Sequence, residues 1–122
     1  MCKMNQYTDK QIQDTLKIVE SSIVNCENVR LKLKEGSASY SLNTNRIKAL
    51  YISKALLANQ VNEYTKEEIK KAVTQIASIK SKSTTGITNA KDGSAIYIRF
   101  SRLIDTMNIV LDYLQNAIDE CE

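Results

Sequence analysis

The sequence predicts an all-α protein, an up-down four-helix bundle made of two tandem helical hairpins. Three observations carry this reading. The phrase KEGSASY at Lys34–Tyr40 returns as KDGSAIY at Lys91–Tyr97, in a chain of 122 residues that has only three glycines. Sliding residues 7–61 onto 64–118 at a constant offset of 57 gives 13 identities in 55 positions without a gap, among them Tyr7/Tyr64, Thr8/Thr65, Ile12/Ile69, Ile47/Ile104 and Leu57/Leu114. Matches at caps, corners and core positions are what a duplicated supersecondary unit would keep. Between these landmarks apolar residues recur at helical spacing, and no proline interrupts them. One domain, residues 1–122, is expected, with hairpin repeats at about 7–61 and 64–118.

Each repeat opens on a capping box. In Thr8–Gln11 and Thr65–Glu68 the threonine hydroxyl can take an orphan helix amide, and the Gln or Glu side chain can return the bond. Ile12, Leu16, Val19, Ile23, Cys26 and then Leu33 continue the first helix. Ile69, Val73, Ile76 and Ile79 continue the third. Gly36 and Gly93 suit a left-handed C′ position that ends a helix, and Ser37 and Ser94 suit the N-cap of the next. Helix two then carries two apolar stripes, Tyr40/Ile47/Leu50/Leu57/Val61 and Leu42/Ala49/Ile52/Leu56. Helix four is equally rich, from Phe100, Leu103 and Met107 to Leu114 and Ile118. One buried seam uses a single stripe. The extra surface implies that helices two and four are central, or that they face another subunit in a homo-oligomer.

The repeats diverge at Ser81–Lys91, SKSTTGITNAK. The matching segment of the first repeat, NCENVRLKLKE, reads as continuing helix. The second copy, rich in β-branched and hydroxyl residues with Gly86, reads as a helix ending near Lys80 and a polar loop to residue 91.

The net charge of +3 is unevenly spread. Residues 30–54 hold six bases against Glu35, and residues 80–104 hold Lys80, Lys82, Lys91, Arg99 and Arg102 against Asp92. Residues 105–122 hold five acids and no base. No run of 18 apolar residues is present, and MCKMNQYTDK lacks the apolar core of a signal peptide, so a cytoplasmic protein without a membrane span is expected. Cys2, Cys26 and Cys121 form no CxxC pair, which argues against a disulfide framework or a zinc site. With no histidine, Ser-His-Asp and Cys-His catalysis is excluded. No phosphate-loop or dinucleotide motif occurs. The pairs Glu67/Glu68 and Glu120/Glu122 lie at a helix start and a chain end, so neither is read as an acid/base pair. The chain is read as a non-enzyme without a cofactor or a metal.

The stretch GSASYSLNTNRIKALYISKALL, with YTDKQIQDTLKIVESSIVNCE before it, resembles a group of short helical proteins of Gram-positive bacteria and their mobile elements. Their pattern runs roughly YT-x-E-E-L, then a Gly-Thr-x-Gln-His-Thr-Leu segment and an Asn-Arg-Ile-Lys-Ala-Leu helix. Here Asn45–Leu50 carries the last portion, while Tyr40 stands where the pattern has His. The resemblance covers residues 7–57 best. It implies a helical hairpin and brings no activity or catalytic residue with it.

In an up-down bundle both Gly-Ser corners lie at one end, together with the N-termini of helices two and four, whose free amides favour anions. Arg30, Lys34 and Lys91 fall at that end. Ser94 is at the corner, and Tyr40, Tyr97, Arg46, Arg99 and Arg102 lie further in. Lysines at helix C-termini also offset the helix dipole, which is a structural reason for Lys32, Lys34 and Lys91. The expected function is a non-enzymatic binding protein. It would take a phosphate-bearing, nucleotide-like small molecule, in effect sequestering a signal, or an acidic host protein. A nucleic-acid-binding module using Arg46, Lys48, Arg99 and Arg102 is one alternative, weakened by the low net charge and by the acidic end of helix four. A structural or adaptor bundle that binds another helix is the other.

Overall fold

The computed structural model describes residues 7–58 and 64–120. Cys2, Asn59, Val61, Cys121 and Glu122 lie outside them. Four helices follow one another: α1 Asp9–Arg30, α2 Ala38–Leu57, α3 Lys66–Asn89 and α4 Ala95–Glu120. Their first residues are related by the 57-residue shift, Asp9 to Lys66 and Ala38 to Ala95. Both capping boxes form. Thr8 Oγ1 accepts from the Gln11 amide at 3.1 Å, and Gln11 Oε1 accepts from the Thr8 amide at 2.8 Å. Thr65 and Glu68 repeat this at 3.1 and 2.9 Å. Ser37 and Ser94 each accept from an amide three residues on, that of Tyr40 or Tyr97, at 3.1 Å.

Neighbouring helices pack α1–α2–α3–α4 in a ring, with α4 also against α1. Among the described residues α2 and α4 also touch across the middle, while α1 and α3 do not. That diagonal accounts for the doubled apolar stripes. Leu50 and Ile52 of α2 and Met107, Val110 and Leu114 of α4 are fully buried with Val19, Ile69 and Ile76. Each such side chain contributes about 1.5–3 kcal/mol on burial. Two buried hydroxyls are satisfied within their own helix. Thr15 donates to the Gln11 carbonyl at 2.7 Å, and Ser53 to the Ala49 carbonyl at 2.8 Å. No helix among the described residues is long and apolar enough to cross a membrane.

Three local expectations are corrected. The segment 81–89 is helix and not loop, because α3 runs to Asn89. Its hydroxyls bond back one turn, Ser83 to Ile79, Thr84 to Lys80 and Thr88 to Thr84, at 2.9–3.0 Å. Ser83 is buried, and Gly86 accepts the Phe100 ring of α4 directly on its backbone. Packing against α4 overrides a weak local propensity. Conversely, α1 stops at Arg30. The Leu31-Lys-Leu33-Lys run alternates at period two, so a helix would have no consistent face to bury there. Leu31 is 85% exposed. Finally, Gly36 and Gly93 are not helix C′ residues. Each is the third residue of a β-turn, closed by Ser37 N–H to Lys34 O and Ser94 N–H to Lys91 O at 3.0 Å. Their φ values of 89° and 80° are those a type II turn demands at that place. The turn's fourth residue is the serine cap, so one phrase both reverses the chain and starts the next helix.

Two predictions follow from this geometry. A Cβ on Gly86 would lie 2.6 Å from two Phe100 ring carbons. Gly86→Ala should therefore miss the gain of about 1 kcal/mol expected inside a helix and recover it when Phe100 is also Ala, as urea unfolding of the four proteins would show. Nothing lies within 4 Å of a Cβ at Gly36 or Gly93. Gly36→Ala and Gly93→Ala should then each cost about 1–2 kcal/mol for the left-handed backbone alone, and the two costs should add in the double variant.

Candidate functional site

Among the described residues one groove lies between α2 and α3 and another between α1 and α4. They are related by the repeat: Asn45 and Gln75 line the first, and their counterparts Arg102 and Ile18 line the second. The first, of about 330 Å³, is spanned by an ion pair. Lys48 bridges to Glu68 at 3.0 Å across it. The Glu68 carboxyl sits below its usual range, first because it accepts from the Thr65 amide and then because of Lys48. Beside it the Arg46 guanidinium donates to Ser78 Oγ at 3.1 Å. Arg46 Nε and Gln75 Oε1 are buried without a partner among the described residues.

The second groove, of about 470 Å³, has no such bridge among the described residues. Its α1 wall presents Ile18, Ser21, Ser22 and Asn25, and its α4 wall presents Ala95, Ile98, Arg99, Arg102 and Leu103. Ile18 and Leu103 are half-buried, whereas both arginines are exposed and carry no ion pair or hydrogen bond among the described residues. They are three residues apart, so their side chains leave neighbouring points of one helix face. The repeat explains why this groove is not bridged. Position 46 of the first copy is Arg, and its counterpart is Leu103. Ser78 is held by that Arg, and its counterpart Ser21 is not. The pair corresponding to Lys48 and Glu68 is Asp105 and Gln11, which cannot form a salt bridge.

The residues singled out from sequence therefore disperse. Arg99 and Arg102 share the α1–α4 groove. Arg46 turns toward α3 and Ser78. Arg30 lies on the α1–α2 side, close enough to act on Tyr51, whose hydroxyl donates to Glu27 at 2.9 Å and is held above its usual range chiefly by that bond. Lys34 and Lys91 are exposed, and their carbonyls close the two turns. Ser94 caps α4, and Tyr40 and Tyr97 are half-buried with capped amides. The 81–91 segment, expected as a polar loop, is the last turns of α3 as far as Asn89, followed by the cap residue Ala90 and the start of the turn at Lys91. Sequence reading missed Ile18, Ser21, Ser22 and Asn25, whose spacing on α1 is that of an ordinary solvent face. The Cys26 thiol is pushed up by burial, against a smaller pull from Arg46, so it is not a ready thiolate nucleophile.

Arg46 lends itself to a direct test, because the chain already uses Leu at the equivalent place. A partly desolvated cation with an unpartnered Nε is costly, and apolar replacements of such groups are often neutral or stabilising by about 1–4 kcal/mol. Arg46→Leu is expected to hold or raise the melting temperature, whereas Arg46→Ala, which removes the aliphatic stem as well, is expected to lower it. Comparison with models of known protein families, with curated proteins and with solved structures finds no match, so the functional reading rests on the geometry of the α1–α4 groove.

Proposed function

We propose that this chain is a non-catalytic binding protein that takes an acidic, partly apolar protein partner in the α1–α4 groove. The carrying observation is Arg99 and Arg102, exposed and without acidic partners among the described residues, at the rim of a groove lined by Ile18, Ile98 and Leu103. Apolar contact supplies the attraction there, and the guanidinium pair supplies the preference for carboxylates. Most of the lining residues are exposed, which favours a protein segment over a nucleotide-like small molecule, since small-ligand sites enclose most of their ligand. Nucleic acid is less favoured because Arg46 and Lys48, which a basic face would need beside Arg99 and Arg102, are engaged by Ser78 and Glu68. A protein of the mobile-element type that the first hairpin resembles would use such a groove to occupy an acidic segment of a host factor.

The test is calorimetric titration with an amphipathic helical peptide rich in Asp and Leu, alongside its Asn-substituted version and a nucleoside monophosphate. The acidic peptide should bind and the neutral one should not. Arg99→Ala with Arg102→Ala should weaken binding by on the order of tenfold to a hundredfold, since charge-assisted bonds contribute about 1.5–3 kcal/mol each when desolvated and less at an exposed rim. The melting temperature should not move, because both side chains are exposed. Binding of the nucleotide alone would select the small-ligand reading. No binding, or an equal loss of stability in the variant, would reject the groove as a site.

A further inference from the structure

We propose that the acidic partner is a second copy of this chain, docked antiparallel along α4. This rests on the groove reading above and names its occupant. On α4, Ile98, Arg102, Asp105 and Ile109 follow one another at steps of four, three and four residues, the spacing of a helix–helix seam. Ile98 is 45% exposed, Arg102 and Asp105 are exposed, and Ile109 is half-buried at the edge of the core. Neither Arg102 nor Asp105 has an ion-pair partner among the described residues. The stripe thus sets an exposed apolar residue at one end and a half-buried one at the other, with two opposite charges that form no ion pair between them.

That order is self-complementary under a two-fold axis. With the axis crossing α4 between Leu103 and Ile104, Ile98 comes opposite the partner's Ile109, and Arg102 comes opposite the partner's Asp105. The reciprocal contacts follow from the symmetry, as in any isologous interface. About this axis Asp112 comes opposite the partner's Ala95, and Asp119 and Glu120 pass beyond the start of the partner's α4, so the charge match is that of Arg102 with Asp105. Antiparallel pairing also opposes the two helix dipoles, whereas parallel pairing would set Arg102 against Arg102 and Asp105 against Asp105. Asp112 already accepts from the Tyr7 hydroxyl of its own chain, so the exchange centres on Arg102 and Asp105. The same pairing covers Ile98, which the bundle itself leaves exposed at the groove.

Sedimentation equilibrium over a wide concentration range, with charge reversal, tests this. The wild type should show a concentration-dependent dimer. Arg102→Asp or Asp105→Arg alone places like charges across the axis twice, and each should weaken dimerisation at least about tenfold. The double reversal Arg102→Asp with Asp105→Arg restores opposite charges and should return the dimer to within a few-fold of wild type. Circular dichroism melts of all four, taken at concentrations low enough that each is monomeric, should coincide, since the changes are on exposed residues. A dimer indifferent to the single reversals, or not rescued by the double, overturns the proposal. A monomer up to millimolar concentration that still binds the acidic peptide through Arg99 and Arg102 overturns self-pairing and leaves the groove reading standing. A monomer that binds no such peptide overturns both.

Discussion

The structure depends on burying α2 and α4, the two helices with more apolar surface than one seam can cover. A ring of four helices with equal contacts would leave part of each second stripe in water. Drawing α2 and α4 together across the diagonal places Leu50, Ile52, Met107, Val110 and Leu114 in one cluster, and α1 and α3 then flank that pair without meeting. The amphipathic outer helices need only one apolar face, which is what their sequences have. The cost of this arrangement falls at the turn end. There Val24 and Val29 of α1, Leu42 of α2 and Ile96 and Ile98 of α4 remain exposed, because the shared core lies further down the bundle.

Duplication makes the two grooves comparable, and the differences between the copies make them unequal. Where the first copy has Arg46, Lys48 and, across from them, Glu68 and Ser78, the groove between α2 and α3 is crossed by a salt bridge and a guanidinium bond. Where the second copy has Leu103 and Asp105 against Gln11 and Ser21, neither bridge can form. Arginine appears instead at positions 99 and 102, where the first copy has Leu42 and Asn45. The cations of the first copy are thus held by their own chain, Lys48 by Glu68 and Arg46 by Ser78. Those at the α1–α4 groove are solvated and free to meet carboxylates from outside.

The glycines show how one residue type serves two unrelated needs. Gly36 and Gly93 adopt a φ that L side chains resist, with open space around them, so their role is conformational. Gly86 has ordinary helical backbone and a ring against it, so its role is steric. The first kind announces itself through the repeated Lys-acid-Gly-Ser phrase. The second is silent in the chain, because its cause, Phe100, lies on the next helix.

The sequence by itself determined the four helices, their starts and the two-hairpin plan, because capping boxes, turn glycines and a 3.6-residue apolar period act within a few residues of one another. It also showed Arg99 and Arg102 as the bases of a helix whose remainder carries only acids. Only the tertiary structure decided where α1 and α3 end. Leu31 finds nothing to bury against, whereas Ser83 is buried and Gly86 packs against Phe100 of α4. Only the tertiary structure separated Arg46 from the other bases, by offering it Ser78 on a helix 32 residues away. It alone set Ser21 and Asn25 opposite the arginines. Such outcomes turn on which side chain an adjacent helix presents, a distance in space that the order of residues does not record.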